Sequence, residues 1–579
     1  MDVQNKNYLT AHHYTTWQVI RSYWMSNHRI PAYIAFGVIM LMTVTLVGLD
    51  VVFNYWYNHF YDSLQAYDRK GAVRLLVIFF VIAAFYIVLA VYRYYVSQMF
   101  GLRWRRWLTE QFIGRWLQKR TYYLLENFDD KTDNPDQRIQ EDCGALVSYS
   151  IDLSMGLMSA VTTFLAFIYI LWKLSGVFTL SLGSFGTYQV PGYLVWVGVL
   201  YAIIGTLLTI KLGHPLIALN FEQQRREATF RYSLVDLRTH AENVALYRGE
   251  EQQNGIMQRL FGRVLDNWLV IILRQKKLMW FTSGYNQLSV MLPLLVALPN
   301  YFDKVFLLGG LIQSLQAFNR VQDSLSFLIN SYTSIAQWQA IGRRLTTFVN
   351  HMNDAEDKAR AHNKLVFDKH ESNILISRNM SVSTPRGDVL LHGINAAFVH
   401  GQHYLIEGMS GIGKSTYVRA LSGIWPYASG EAVFPRDKLV MYVPQKPYMP
   451  IGTLMEAILF PDKHNPEMES RVEDLLKKCH LEHLIPRLSE SGAWSEQLSP
   501  GEQQRIAFTR VLLHKPDWVF LDESTSMLDV ANEEIVYQLL KTELPNCSIV
   551  SVGHRSTLEH HHDHIVDMSK YSAQGSLVA

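Results

Sequence analysis

The sequence predicts two domains of different class: a membrane all-α domain of six transmembrane helices, then an α/β P-loop NTPase domain. Three observations predict it. Long uncharged apolar runs fill the chain up to about residue 340, and an ordinary polar composition follows. Charged residues make up only 18% of the 579 residues, below the ~25% usual for soluble proteins. Third, Gly408-Met409-Ser410-Gly411-Ile412-Gly413-Lys414-Ser415-Thr416 matches the pattern G-x-x-x-x-G-K-[ST] at every fixed position. The expected division is a transmembrane domain over 1–349, a polar linker over 350–372 and a nucleotide-binding domain over 373–579.

Composition excludes some classes at once. Lys and Arg number 53 against 51 Asp and Glu, a net charge of +2, so no basic footprint for nucleic acid exists. Cys143, Cys479 and Cys547 lie far apart and match no metal spacing, which suggests reduced thiols. Residues 1–14 are polar and lack the pattern of a cleavable signal.

Residues 14–30 carry Trp17, Ile20, Tyr23 and Trp24 beside Arg21 and Arg29, the composition of an interfacial amphipathic helix. A bilayer core of ~30 Å needs ~20 apolar residues per helix. Runs at 31–49, 75–92, 153–172, 191–210 and 278–298 supply five. The sixth, 305–319, is short and holds Gln313 and Gln316; it is accepted because an even number returns the chain to the side of the nucleotide-binding domain. The connections after the second and fourth runs are rich in arginine, such as Arg103, Arg105 and Arg106 and then Arg225, Arg226 and Arg231, while residues 176–188 have neither Lys nor Arg. Positive charge marks the cytoplasmic side. The N-terminus, both long connections and the nucleotide-binding domain are therefore expected in the cytoplasm, with a multi-pass anchor in the lipid bilayer. Both connections keep helical periodicity and read as extensions of membrane helices. Residues 134–139 and part of 217–247 are expected to dock on the nucleotide-binding domain. Asp50, Asn54, Tyr57, Asn58 and Tyr61 share one helical face, expected to line a hydrated path.

In the second domain, the run 404–406 reads as a strand and 415–422 as a helix, so the glycine-rich stretch sits at a strand-to-helix turn. Gly408, Gly411 and Gly413 let backbone N–H groups curl around phosphate oxygens at a helix N-terminus, with Ser410 and Thr416 in the same loop. Lys414 adds a full charge on the β- and γ-phosphates, and the Ser415 hydroxyl is a Mg2+ ligand. ATP with Mg2+ is the ligand this implies. Gln445 follows the strand at 439–443, where it reaches Mg2+ and the attacking water. Ser499 is an N-cap with Glu502 three residues on, a capping box. Gly501 inside that first turn costs helix stability relative to alanine; close approach of backbone to phosphate explains it. The apolar strand at 518–521 ends in Asp522 and Glu523. Buried strands seldom end in two carboxylates without a cation: Asp522 holds Mg2+ through water and Glu523 polarises the attacking water. Asp529 follows, and His554 stands after the strand at 548–552.

This ordered set, phosphate loop, Gln445, Leu498-Ser499-Pro500-Gly501-Glu502-Gln503, Asp522-Glu523, Asp529 and His554, resembles an ABC-transporter ATPase over residues 370–560. The resemblance implies two ATPase domains that sandwich two ATPs, each held by one domain's phosphate loop and the other's Ser499 and Gly501. Asp529 communicates across that interface, and His554 contacts the γ-phosphate. Two departures stand out. The signature reads Leu-Ser-Pro-Gly-Glu where Leu-Ser-Gly-Gly-Gln is commonest, and residues 381–385 offer no aromatic to stack on adenine. In the first domain, residues 134–139, 227–232 and 241–247 resemble the SbmA/BacA-like and peroxisomal acyl-CoA transporter group. In the second, Gly423-Ile424-Trp425-Pro426 and Gly452-Thr453-Leu454 with Glu456 do the same. Nearly the whole chain is similar to YddA-like proteins, SbmA/BacA-type membrane domains fused to an ATPase. That implies an exporter-like half-transporter working as a homodimer in the bacterial inner membrane. Its cargo is expected to be peptides or bulky polar compounds such as cobalamin, taken up. A fatty-acyl or lipid exporter and an ATP-gated regulator without solute flux are the alternatives.

Overall fold

The computed structural model describes residues 14–128, 134–181, 187–302, 304–463 and 465–573. They divide into two compact units, Met1–Leu117 with Thr132–Asn350, and Gln118–Lys131 with His351–Ala579. In chain order the main helices of the first half are α1 (Thr16–Trp24), α2 (Arg29–Gln65), α3 (Arg69–Leu117), α4 (Thr121–Phe128), α5 (Cys143–Ser175), α6 (Tyr193–Thr239), α7 (Glu250–Phe302), α8 (Leu308–Leu325) and α9 (Tyr332–His362).

Helix α1 starts at a full capping box between Thr15 and Gln18 and buries Val19, Ile20 and Tyr23. The first four apolar runs fall in α2, α3, α5 and α6; among the described residues these four are long and apolar enough to cross a membrane. The fifth and sixth runs lie in α7 and α8, which are helical but less apolar. The reason is visible in α8: Gly309, Gly310, Gln313, Ser314, Ala317 and Gln322 are buried inside the bundle, so its face meets protein rather than lipid. Between α5 and α6 an antiparallel pair, β1 (Val177–Ser181) and β2 (Thr187–Pro191), closes the connection. Helices α6 and α7 run 47 and 53 residues. At 1.5 Å per residue they reach ~70–80 Å, far more than a ~30 Å hydrocarbon core, so they extend out of the membrane as the periodicity predicts.

The polar stripe of α2 has a different role from the one expected. Asn54 Nδ2 donates to the Gln313 carbonyl at 3.2 Å and Asn58 Nδ2 to Gln313 Oε1 at 2.8 Å. Asp62 accepts the Gly309 N–H, Gln65 accepts the Leu308 N–H, and Asp50 pairs with Arg320 at 2.9 Å. Asp50, Asn54 and Asn58 of the stripe, with Asp62 and Gln65 beyond it, form an interhelical ladder joining α2 to α8, while the rings of Tyr57 and Tyr61 stack on each other. The ladder demands close approach: a Cβ on Gly309 would lie 1.9 Å from the Asn58 carbonyl oxygen.

The second unit carries β3 (Lys364–His370), β4 (Ile374–Ser383), β5 (Val389–Val399), β6 (Tyr404–Glu407), α10 (Lys414–Leu421), β7 (Ala428–Pro435), β8 (Val440–Val443), α11 (Leu454–Leu459), α12 (Glu469–Lys478), α13 (Pro500–His514), β9 (Trp518–Asp522), α14 (Val530–Glu543), β10 (Ser548–Val552) and β11 (His564–Asp567). A five-stranded parallel sheet runs β11-β6-β10-β9-β8, and a four-stranded sheet runs β3-β7-β4-β5. One core packs α11, α12, α13 and α14 on the parallel sheet, and a second fills the space between the two sheets around Phe398, Tyr417 and Phe520. Parallel strands buried on both faces read as continuous apolar runs, which is why β9 and β10 were visible in the sequence.

Residues 350–372 are not a linker. Helix α9 runs on to His362, and β3 pairs in parallel with β7. Helix α4 packs within the nucleotide-binding unit. Thr121 Oγ1 donates to Glu356 at 2.9 Å, and the Phe128 ring lies 5.1 Å from Trp425 and 5.2 Å from Tyr427. In residues 134–139, Asn134 takes the left-handed conformation before Pro135, and Arg138 pairs with Asp142, which also binds Arg344.

Candidate nucleotide site

Strand β6, paired between β11 and β10, delivers the phosphate loop from the parallel sheet. Gly408 and Gly413 adopt φ of 140° and 114°, values open to glycine and closed to most residues. Gly413 is also pressed in place, since a Cβ there would meet Leu390 Cβ at 3.1 Å. Helix α10 begins at Lys414 with no side-chain cap, which leaves its N-terminal N–H groups available to an anion. Ser410 is exposed on the loop, and Thr416 is half-buried in the first turn. Tyr417, fully buried, bonds Ser377 and pins the helix to β4.

The Lys414 side chain is 5% exposed relative to the free residue. Its Nζ donates to the carbonyls of Gly408 and Met409 at 2.8 and 3.1 Å and to His554 Nε2 at 2.7 Å. Burial pulls its pKa below the usual lysine range, and Glu523 and Asp522 oppose that. Ser415 Oγ donates to Asp522 Oδ1 at 2.7 Å. A hydroxyl and a carboxylate converging at a helix N-terminus are hard oxygen donors, the type that suits Mg2+. Gln445 Nε2 donates to Glu523 Oε2 at 2.9 Å, and His554 Nε2 lies 3.9 Å from Glu523 Oε1. Glu523 leaves the end of β9 at φ 48°, a costly conformation for a non-glycine residue and one concentrated at functional sites. Its N–H is held by the Val552 carbonyl at 3.0 Å. The fold thus brings Lys414, Ser415, Asp522, Glu523, Gln445 and His554 together as the sequence predicts.

The signature residues form a separate constellation. Helix α13 starts at Pro500 with Ser499 as N-cap. Ser499 Oγ accepts the Glu502 N–H at 3.3 Å and donates to Glu502 Oε2 at 2.7 Å; the Ser499 N–H donates to the same oxygen at 2.8 Å. His483 Nε2 approaches Glu502 Oε1 at 2.6 Å. Burial alone would raise the Glu502 carboxyl. The bonds from Ser499 and the facing His483 overcome this and hold it below the ordinary glutamate range. A Cβ on Gly501 would meet the Met527 carbonyl oxygen at 3.4 Å, an ordinary van der Waals contact, so packing within this chain does not by itself demand glycine there. Asp529 caps α14 through the Asn532 N–H at 2.8 Å.

Two connecting residues carry no motif and were missed. Gln504, 1% exposed, donates to the Gln445 carbonyl at 3.2 Å and accepts the Met527 N–H at 3.1 Å. Arg555 donates to the carbonyls of Ser526 at 2.7 Å and Leu528 at 3.0 Å. Both tie the loop after β9 to its surroundings. A glutamine buried on an otherwise apolar helix face was the available signal for Gln504. At the segment where an adenine-stacking aromatic was sought, the aromatic that arrives is Trp425, whose Nε1 donates to the Ser383 carbonyl at 2.9 Å.

A membrane bundle carried on the same chain as this phosphate-loop and signature pair defines an ATP-driven membrane transporter. The chain matches the family models described as "ABC transporter transmembrane region 2" over residues 20–302 and "ABC transporter" over 391–526, and it belongs to the ABC transporter family. It is similar to an uncharacterized ABC transporter ATP-binding protein of Haemophilus influenzae, 36% identical over 94% of this chain and 90% of that one. It is 31% identical to the inner membrane ABC transporter ATP-binding protein YddA of Escherichia coli, covering 95% and 96%. To ABC transporter D family member 2, chloroplastic, of Arabidopsis thaliana it is 30% identical, covering 96% and 85%. A bacterial Atm1-family ABC exporter structure with ATP bound shares the fold, with a TM-score of 0.70 at 17% identity over 93% and 95%. The multi-pass exporter-like fold and ATP hydrolysis coupled to transport follow. The grouping with SbmA/BacA-like proteins is not among these findings.

Proposed function

We propose that the chain is a half-transporter that works as a homodimer, hydrolysing two ATPs in sites shared between copies. One observation carries this: Ser415 with Asp522, and Gln445 with Glu523 and His554, are preassembled around Lys414 within hydrogen-bonding reach. Lys414 neutralises the β- and γ-phosphates. Ser415 and Asp522 hold Mg2+ with Gln445, and that ion supplies charge stabilisation on the phosphates when bound. Glu523 orients the attacking water and accepts its proton, and His554 contacts the γ-phosphate. Ser499 and Gly501, with Glu502 as their cap, close on the partner copy's nucleotide, and Asp529 answers across the same interface. The nucleotide-binding unit faces the cytoplasm of a bacterial inner-membrane protein, on the side marked by Arg103, Arg105 and Arg106.

The proposed cargo is a peptide or a bulky polar compound such as cobalamin, moved inward; similarity of residues 134–139 and 227–232 to the SbmA/BacA-like group supports it. A second reading, acyl or lipid transport, is favoured by the ladder between α2 and α8: the stripe that was to present a polar wall is engaged with another helix. Flux in proteoliposomes decides. ATP-dependent accumulation of labelled peptide or cobalamin supports the first reading, and movement of acyl-CoA alone replaces it. ATP hydrolysis with no solute moved points to a regulator.

A further inference from the structure

The first unit contains a cavity of about 660 Å³ that the nucleotide reading does not use. Its volume lies inside the ~300–1,000 Å³ of small-molecule sites. The wall is apolar and aromatic, with Trp17 and Trp24 of α1, Trp104 of α3, Leu157 of α5, Phe327 in the short turn before α9, and Trp338 of α9. Gly156 helps to shape it, because a Cβ there would lie 2.5 Å from the Phe327 ring.

Trp104 is 3% exposed, with its indole nitrogen closed off within the protein, and Trp338 Nε1 donates to Ser150 Oγ at 2.8 Å, so the tryptophans present apolar ring surface to the cavity. Arg21 also lines the cavity, exposed and without an ion pair among the described residues. An apolar chamber with an unpaired cation at its wall calls for a ligand with an apolar body and an anionic head.

Position narrows the ligand. Tyr33 and Phe36, in the first turns of α2, border the cavity. They stand at the start of the first apolar run, next to Arg29 and on the arginine-rich side of the bundle. Tryptophan, tyrosine and arginine at one depth mark a membrane interface, and the cytoplasmic leaflet supplies anionic lipids there. We infer that the cavity under α1 is a binding site for an anionic phospholipid of the cytoplasmic leaflet. One acyl chain lies among the tryptophans, and the phosphate sits on Arg21. The lipid would hold α1 against α5 and α9. The inference rests on the membrane reading of this unit and is independent of the cargo.

The test uses the full chain in nanodiscs with phosphatidylglycerol carrying a photoactivatable group on its acyl chain. Crosslinks should concentrate on residues 150–157 and Trp338, and unlabelled phosphatidylglycerol should compete where phosphatidylcholine does not. Arg21→Gln should lower labelling about fivefold, the effect of one basic residue beside an anionic surface. Ser154→Trp, which fills the cavity, should abolish it. Competition on the unaltered protein needs neither variant to fold. Labelling that spreads evenly over the exposed face of α3, or that phosphatidylcholine competes equally, overturns the site. A crosslink from residues 150–157 to a second copy, or displacement by acyl-CoA in preference to phospholipid, assigns the cavity to a partner helix or to cargo and also overturns it.

Discussion

Two helix N-termini in this protein's nucleotide-binding unit belong to the halves of the proposed ATP site, and they are prepared in opposite ways. Helix α10 starts behind Gly413 with no side-chain cap, and its charged neighbour Lys414 bonds to carbonyls of its own loop and to His554. Helix α13 starts behind Ser499 with a complete capping box. An uncapped terminus is ready for phosphate, and Lys414 has only to exchange neutral acceptors for charged ones. A capped terminus is already satisfied; in the proposed sandwich the Ser499 hydroxyl would have to leave Glu502 before it could serve a phosphate from another copy. On that proposal the phosphate loop is built to bind and the signature loop to wait.

The comparison breaks most sharply at the chemistry on the phosphate-loop side. Glu523→Gln is expected to lower kcat by ~10²–10⁴, the usual contribution of a positioned base, while ATP binding survives in a nucleotide-affinity measurement. Hydrolysis near the unaltered rate would remove Glu523 from the water-positioning role. The next test separates the two termini. Lys414→Ala and Ser499→Arg homodimers should each lose ATPase activity, because every shared site then lacks one half. Co-expressed, they should regain part of it, since a mixed dimer keeps one site with both halves intact. Full activity in the Ser499→Arg homodimer would show that the signature loop does not complete the site.

Gln504 is the bridge between the two regions, from the Gln445 carbonyl to the Met527 N–H. Gln504→Ala removes two part-buried bonds to exposed residues, each worth ~0.5–1.5 kcal/mol. Loss of positioning should reduce kcat roughly ten- to a hundredfold with ATP affinity retained; an unchanged kcat would leave Gln504 a packing residue. That such a bridge was missed shows where sequence reading ends. The phosphate loop and the carboxylates after β9 were legible because their chemistry restricts residue type and spacing together. Gln504 needs only a donor and an acceptor at a point set by tertiary packing. The same limit explains the α2 stripe. A 3.6-residue period reveals a polar face but not whether water or Gln313 and Arg320 of α8 meets it. It explains residues 350–372 as well, where polar composition suggested a linker although Met352 and Ala355 are buried and continue the period of α9. Phe128 was passed over because it is one aromatic in a polar stretch, and only the fold shows Trp425 and Tyr427 beside it.

The smallest effect sharpens the comparison from the signature side. Glu502 is held ionised by two bonds from Ser499 and by His483, against its burial. Its folded pKa therefore lies below the unfolded value of ~4.3. A carboxylate depressed in this way stabilises the first turn of α13 above the unfolded pKa, and that stability is lost as pH falls through the folded one. Glu502→Gln removes the charge at every pH. Amide hydrogen exchange in residues 499–505, compared between the two proteins at equal pH, should show the unaltered protein better protected above about pH 5. Because the group is largely solvent-screened, the ratio should be modest, roughly a factor of two to five. It should close toward one as pH falls below the ordinary glutamate range. A ratio that stays constant down to low pH would mean that the cap works through shape and hydrogen bonding alone. In that case the waiting state of the signature loop does not depend on the carboxylate charge, and the contrast with Lys414 reduces to whether each helix end is capped.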